Sequence, residues 1–251
     1  MTRGAPGASR GDYTPDELMA TIIAREVRDG EVVGVGTLAP VPASGVLLAH
    51  FSRAPRARVI ILNHPEYWPF RNGSKEFYDF AQRGGLDLFF LSGGQIDRRG
   101  NLNLIAVGDA DRPRVRFPGG AGAAMLYYFA RRVIVFRKEH SPKVFVERVD
   151  HVASPGSTPP DVLRPGGPWK VVTPLCVFRF DRQTAALVVE SLHPGVTRED
   201  LQRQTGFTLA YEPAVRTTSE PTADELDLLR TRVRDAIAKT YPRYAETAFV
   251  G

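Results

Sequence analysis

Leu86-Asp87-Leu88-Phe89-Phe90-Leu91-Ser92-Gly93-Gly94-Gln95-Ile96-Asp97, continued by Gly100-Asn101-Leu102-Asn103, decides the fold. The run from Leu86 to Leu91 has Asp87 as its only polar residue. A strand buried on both faces of a parallel sheet reads this way. Gly93 and Gly94 follow at once, so the strand delivers the chain to a turn where uncovered backbone N–H groups can meet a ligand with no Cβ in the way. A second cluster, Gly119-Gly120-Ala121-Gly122, comes soon after. Most glycines only shape turns, so the rest of the chain must supply the context.

Upstream, Thr14-Pro15-Asp16-Glu17 is a capping box with proline at the first helical position. Leu18, Met19, Ile22, Ile23 and Val27 then recur at helical spacing, and Gly30 closes the helix. A short strand over 31–36, a helix over 41–52 and a β-branched strand over 58–62 make a βαβ unit. A helix over 74–83 ends at Gly84-Gly85, and strands are expected at 104–107 and 132–136 around a helix that opens on the second glycine cluster. Beyond Lys143, alternating segments at 143–149, 170–180 and 185–192 suit antiparallel or mixed pairing. The proline- and glycine-rich stretch 154–168 reads as a long surface or site-rim loop. A last helix starts at Thr222, its capping box completed by Glu225, with Leu226, Leu229, Val233 and Ile237 as its stripe. The expectation is an α/β fold with an open, mostly parallel sheet, flanking helices and mixed strands in the C-terminal half. It forms one domain over 13–251 behind a loose tail at 1–12.

Composition narrows the function. Of 251 residues, 43% are apolar and 24% charged, as in ordinary globular proteins. The net charge of +5 comes from scattered arginines, so no nucleic-acid module is expected. Cys176 is the only cysteine, so no disulfide forms within the chain, and its apolar setting argues against a reactive thiol. Apolar runs are too short to span a bilayer and the N-terminus carries no apolar leader core, so no membrane contact and a cytoplasmic location are expected.

Several chemistries are set aside. Gly34-Val35-Gly36-Thr37-Leu38-Ala39 fits a loose dinucleotide fingerprint, but Leu62-Asn63-His64 stands where the next strand would supply a ribose-binding acid. His50, His64, His140, His151 and His193 never occur at paired ligand spacing, so no metal is expected. A G-x-S-x-G elbow is absent. His64, beside Asn63 and Glu66, nonetheless lies at the C-terminal end of a parallel strand, where open α/β sheets bind ligands.

The ordered segments Val32-Val33-Gly34-Val35-Gly36-Thr37, Ala54-Pro55, Gly93 to Asp97, Gly100 to Asn103, Arg116-Phe117-Pro118-Gly119-Gly120-Ala121, Asp150 to Gly156 and Thr205-Gly206-Phe207 carry a likeness. They resemble the β subunits of family I CoA-transferases of the glutaconate CoA-transferase type, including actinobacterial relatives that open a steroid-derived ring. The likeness runs from about Tyr13 to Ala236. It implies a CoA-transferase (NagB-RpiA-like) fold and an α-type partner subunit, as heterodimer or heterotetramer. It also implies an acyl-CoA thioester held at their junction as substrate, with no permanently bound cofactor. It places Gly36, Gly93, Gly94, Gln95, Asn101 and Asn103 near that junction, and Gly119, Gly120, Ala121 and Gly122 on a second loop by the thioester.

Such enzymes use a glutamate whose carboxylate attacks the thioester, forms an anhydride and then carries CoA. The resemblance puts that glutamate at the end of the second strand, where this chain has Leu62-Asn63. Roughly twenty residues of the family's loop also look absent before Glu76, a large change for a connection. Two mechanisms stay open. Glu66 takes over as nucleophile in a transferase, or the partner supplies the acid for hydrolysis or ring opening, with Asn63 donating to an oxyanion and His64 shuttling a proton. A non-catalytic scaffold for an active partner is the third reading. For Asn63 and His64 a plain turn role is equally open.

Overall fold

The computed structural model describes residues 13–249. The tail expected at 1–12 lies outside the described residues. Helix α1 (Pro15–Glu26) begins on the capping box, with the Glu17 N–H donating to Thr14 Oγ1 at 3.1 Å and the Thr14 N–H to Glu17 Oε2 at 2.7 Å. There follow β1 (Val32–Val35), α2 (Pro40–Phe51), β2 (Arg58–Ile61), α3 (Ser74–Gln82) and β3 (Leu88–Leu91). Four short strands interrupt the alternation: β4 (Gln95–Asp97), β5 (Leu102–Asn103), β6 (Ala106–Val107) and β7 (Val115–Arg116). It resumes with α4 (Ala123–Phe129) and β8 (Arg132–Phe136), then β9 (Phe145–Val146), β10 (Pro168–Val172), β11 (Cys176–Asp181) and β12 (Ala186–Leu192). Next come α5 (Arg198–Arg203), β13 (Tyr211–Thr217), α6 (Ala223–Leu228), a π-helical turn at Leu229–Val233, α7 (Arg234–Ala238) and α8 (Pro242–Thr247).

Eight strands make the main sheet in the order β13-β12-β11-β10-β8-β3-β1-β2. The stretch from β2 through β10 is parallel, β11 is antiparallel to its neighbours, and β12 pairs parallel with β13. The expected α/β class with an open, mostly parallel sheet and a mixed C-terminal half is therefore the fold found. Alternation splits the core. Along β8, Ile134 and Phe136 join the cluster that α1, α2 and α7 build on one face, while Val133 and Val135 join the cluster of α3 and α4 on the other. No helix among the described residues is long and apolar enough to cross a membrane.

Four expectations need correction. The strand expected at 104–107 is not in the main sheet: Ala106 and Val107 pair antiparallel with Arg116 and Val115 in a separate hairpin, and the crossover to β8 starts from β3. The segment 170–180 is a hairpin, because Pro174 cannot donate to a ladder and the chain turns at Thr173–Leu175. Of 143–149 only Phe145–Val146 pairs, alongside β4. The Gly94 N–H is not open to a ligand, since it donates to the Asn103 carbonyl at 2.8 Å.

Candidate functional site

The chain runs from β1 to β2 on one side, then returns to place β3 on the other side of β1. Connections leave the tips of β1 and β3 in opposite directions, and open α/β sheets bind ligands in such a crevice. Gly36 and Thr37 follow β1, Leu62 and Asn63 follow β2, and Ser92, Gly93 and Gly94 follow β3. The topology brings the starts of α2, α3 and α4 to the same end, and with α4 the loop Gly119 to Gly122.

Backbone strain gathers there. Among the described residues four non-glycines have positive φ, and Leu38 (52°), Asn63 (64°) and Ala121 (40°) all lie at this end. The fourth, Ala185, is in the β11–β12 turn at the opposite end. Left-handed backbone is costly for a residue with a Cβ and concentrates at sites where geometry matters more than comfort. The glycines here are needed for space as much as for conformation: a Cβ on Gly94 would lie 2.1 Å from the Phe117 ring, and one on Gly122 2.5 Å from that of Tyr78. No side chain caps the start of α4.

The polar candidates are otherwise engaged. Asn103 is 0% exposed. Its Nδ2 donates to Gln95 Oε1 at 2.7 Å and to the Ala106 carbonyl at 2.6 Å, while its Oδ1 accepts from the N–H groups of Ile105 and Ala106. Gln95 Oε1 also accepts from the Asp150 N–H at 3.0 Å, and Asp150 Oδ2 accepts from the Gly108 N–H at 2.7 Å. Asn101 donates to Asp97 Oδ2 at 3.0 Å and accepts from the Gly156 N–H at 3.0 Å. Gln95, Asn101 and Asn103 thus hold the short strands together beneath the rim. Asp97 and Asp150, to which motif spacing alone assigns no task, are the acids on which this bed rests.

The turn after β2 has another character. His64 is 1% exposed, its Nδ1 accepting from the Glu66 N–H at 3.1 Å, so Nε2 carries the proton and donates to the Ala236 carbonyl at 3.1 Å. A ring held at both nitrogens has none left for a substrate proton. Glu66 is exposed and ion-paired with Lys239. That hydrogen-bonded ammonium holds the carboxyl below the usual range, against an opposing desolvation. Asn63 is exposed at the strand tip, and Asn63, His64 and Glu66 therefore point to three different environments.

A cavity of about 800 Å³ lies elsewhere, against the tips of β8 and β10, lined by Lys138, His140, Leu175, Val196 and Arg203 among others. At its floor, burial pushes His140 down to about 3, helped by His193. The switch point of the sheet outweighs cavity size in choosing the site, because strain and glycine-lined tips converge there and not here. Burial pushes the Cys176 thiol well up, which leaves it unreactive. Among the described residues no three His, Cys, Asp or Glu side chains gather as a metal site would need.

The coenzyme A transferase family profile matches residues 64–204. The B subunit of 3-oxoadipate CoA-transferase from Pseudomonas knackmussii is 31% identical over 87% of this chain and 92% of its own length. The subunit of the cholesterol ring-cleaving hydrolase from Mycobacterium tuberculosis H37Rv is 33% identical over 56% of this chain and 57% of its own. The crystal structure of glutaconate coenzyme A-transferase from Acidaminococcus fermentans superposes with a TM-score of 0.78 at 25% identity, over 96% of this chain and 99% of that one. With a profile covering more than half its length and a transferase subunit alike over nearly all of it, the chain belongs to the coenzyme A transferase family.

Proposed function

We propose that the chain is the β-type half of a two-subunit enzyme acting on an acyl-CoA thioester, and that the reaction runs without a glutamyl thioester on this chain. The carrying observation is the β2 tip: Leu62 and Asn63 stand there, Asn63 in left-handed backbone, with no carboxylate on either. Glu66, the next acid along, is tied to Lys239. A carboxylate that attacks a thioester must be free to swing to its carbonyl carbon, and an ion pair opposes that motion.

In this reading the thioester crosses the tips of β1 and β3, where Gly36 and Gly93 let backbone approach it, and the Gly119–Gly122 loop forms a second wall. The Asn63 amide donates to the oxygen on which charge develops, a role that works best in a water-poor cleft between subunits. The acid that attacks, or that activates water, comes from the α-type partner. Hydrolysis or ring opening of a cyclic acyl-CoA follows as the reaction class, and the hydrolase relative supports it. The second reading, Glu66 as nucleophile of a transferase, draws on the transferase relative that matches nearly the whole chain.

Conversion of acyl-CoA by the purified two-subunit complex, followed as a change in acyl-CoA mass for ring opening and as released CoA thiol for thioester hydrolysis, tests the proposal. Glu66→Gln is expected to keep most of the activity, Asn63→Ala to lower kcat about 100-fold, and the chain alone to do nothing. Loss of all turnover in Glu66→Gln moves the assignment to the second reading. A complex that neither binds nor changes acyl-CoA makes the chain a scaffold.

A further inference from the structure

The β6–β7 hairpin carries an apolar face that the rest of the molecule covers only in part. Ala106 opposes Arg116 and Val107 opposes Val115, and the Phe117 N–H donating to the Ile105 carbonyl at 2.9 Å extends the register by one pair. Directly opposed residues of an antiparallel ribbon point to the same side. Ile105, Val107, Val115 and Phe117 therefore share one face, while buried Ala106 and its opposite Arg116 take the other, and the Ala106 backbone binds Asn103. Ile105 is 39% exposed and Val115 48%. Val152, 53% exposed, sits beside a residue bound to the hairpin, since His151 Nε2 lies 2.8 Å from the Gly108 carbonyl. These three are half of the six conspicuously exposed large hydrophobics among the described residues.

A two-stranded ribbon is marginal alone, and clustered exposed apolar side chains mark an interaction surface. Two further observations indicate what covers it. The hairpin adjoins the candidate site, because the Phe117 ring occupies the space beside Gly94 at the β3 tip. Its rim is basic: Arg112 and Arg114 are exposed, as is Arg116, whose guanidinium donates to the Ala110 carbonyl at 2.8 Å, against Asp109 and Asp111, and Asp109 is turned back to accept N–H groups of its own loop. A second copy of this chain meeting this face symmetrically would bring those arginines against one another.

We propose that this hairpin is the docking element for the second subunit, whose matching surface is apolar with an acidic rim. The inference rests on the two-subunit reading above and adds to it the surface that completes the site. The full chain is co-expressed with each α-type CoA-transferase subunit encoded in the same genome, and association is measured by light scattering and calorimetry for wild type, Val115→Asp and Arg114→Glu. The expected result is a wild-type heteromer, at least about tenfold weaker binding by Val115→Asp, and weaker, less salt-sensitive binding by Arg114→Glu. Both variants should keep the wild-type Tm, because both side chains are exposed. A heteromer that forms equally well with both variants overturns the docking surface and leaves the two-subunit reading standing. Self-association of the wild type that Val115→Asp abolishes makes the occupant a second copy and also overturns it. A wild type that takes up none of the α-type subunits removes the reading beneath it.

Discussion

Two neighbouring regions, each rich in candidate chemistry, use their polar groups in opposite ways. In the bed under the rim, Gln95 and Asn103 bond each other, Gln95 also bonds Asp150, Asn101 bonds Asp97, and all three engage the surrounding backbone. In the turn after β2, Asn63 stands exposed in strained backbone, and only His64 beneath it is fully engaged. Polar side chains in a glycine-rich motif are thus two populations: those that build the platform and those the platform presents. The difference is physical, since a buried amide must find partners inside the protein while an exposed one is free for a ligand.

The comparison predicts unequal responses. Asn103→Ala strands the Ala106 carbonyl and the N–H groups of Ile105 and Ala106 and leaves the Gln95 oxygen with the Asp150 N–H alone, and is expected to cost about 3 kcal/mol in urea denaturation. Asn63→Ala, by contrast, should cost only about 1 kcal/mol, because Ala is less at ease than Asn in left-handed backbone, while losing activity. Equal stability losses at the two positions would erase the distinction. His64→Ala removes a buried ring and the acceptor of the Glu66 N–H, and is expected to cost about 2 kcal/mol. If it leaves stability unchanged and shifts only the pH profile of turnover, His64 handles a proton after all.

Acid should act on the body of the protein before it acts on the turn. His140 is held down to about 3 and His193 to about 4, burial being the main cause for both. The unfolded chain binds those protons near 6.5, so stability is full above that pH and declines as pH falls from about 6.5 toward 3. His140→Gln should flatten that slope in a series of denaturation curves. The smallest effect is expected at Glu66, whose lowered carboxyl contributes stability above its unfolded value that is lost as pH falls through the folded one. Lys239→Ala should return its NMR titration to the usual carboxylate range with scarcely any change in Tm, because the pair is exposed.

Much of the frame was legible in the sequence because it is written in periodicity and caps. The βαβ unit, the helices opening at Thr14 and Thr222, and the buried strand before Gly93 are all found. What escaped has no periodicity to read. Strands of two residues, such as β5 and β7, are too short to show alternation, and the pairing of β6 and β9, which lie within longer expected strands, is decided by their partners β7 and β4. The edge strand β13 contains Pro213 and the charged Glu212 and Arg216, which suit a solvent-facing edge and read as loop. The same limit applies at the site. Spacing exposes the motif Gly93 to Asn103, but only the fold shows that Asn103 faces Gln95 across a hairpin.

The central claim is that this chain takes part in acyl-CoA chemistry without carrying CoA on a glutamate. The most direct measurement mixes the active two-subunit complex with acyl-CoA, traps with hydroxylamine or borohydride, and maps the peptides of this chain by mass spectrometry. The expected result is turnover with an unmodified Glu66 peptide and no adduct elsewhere on the chain. A hydroxamate or reduced residue at Glu66, formed only with acyl-CoA present, would contradict it.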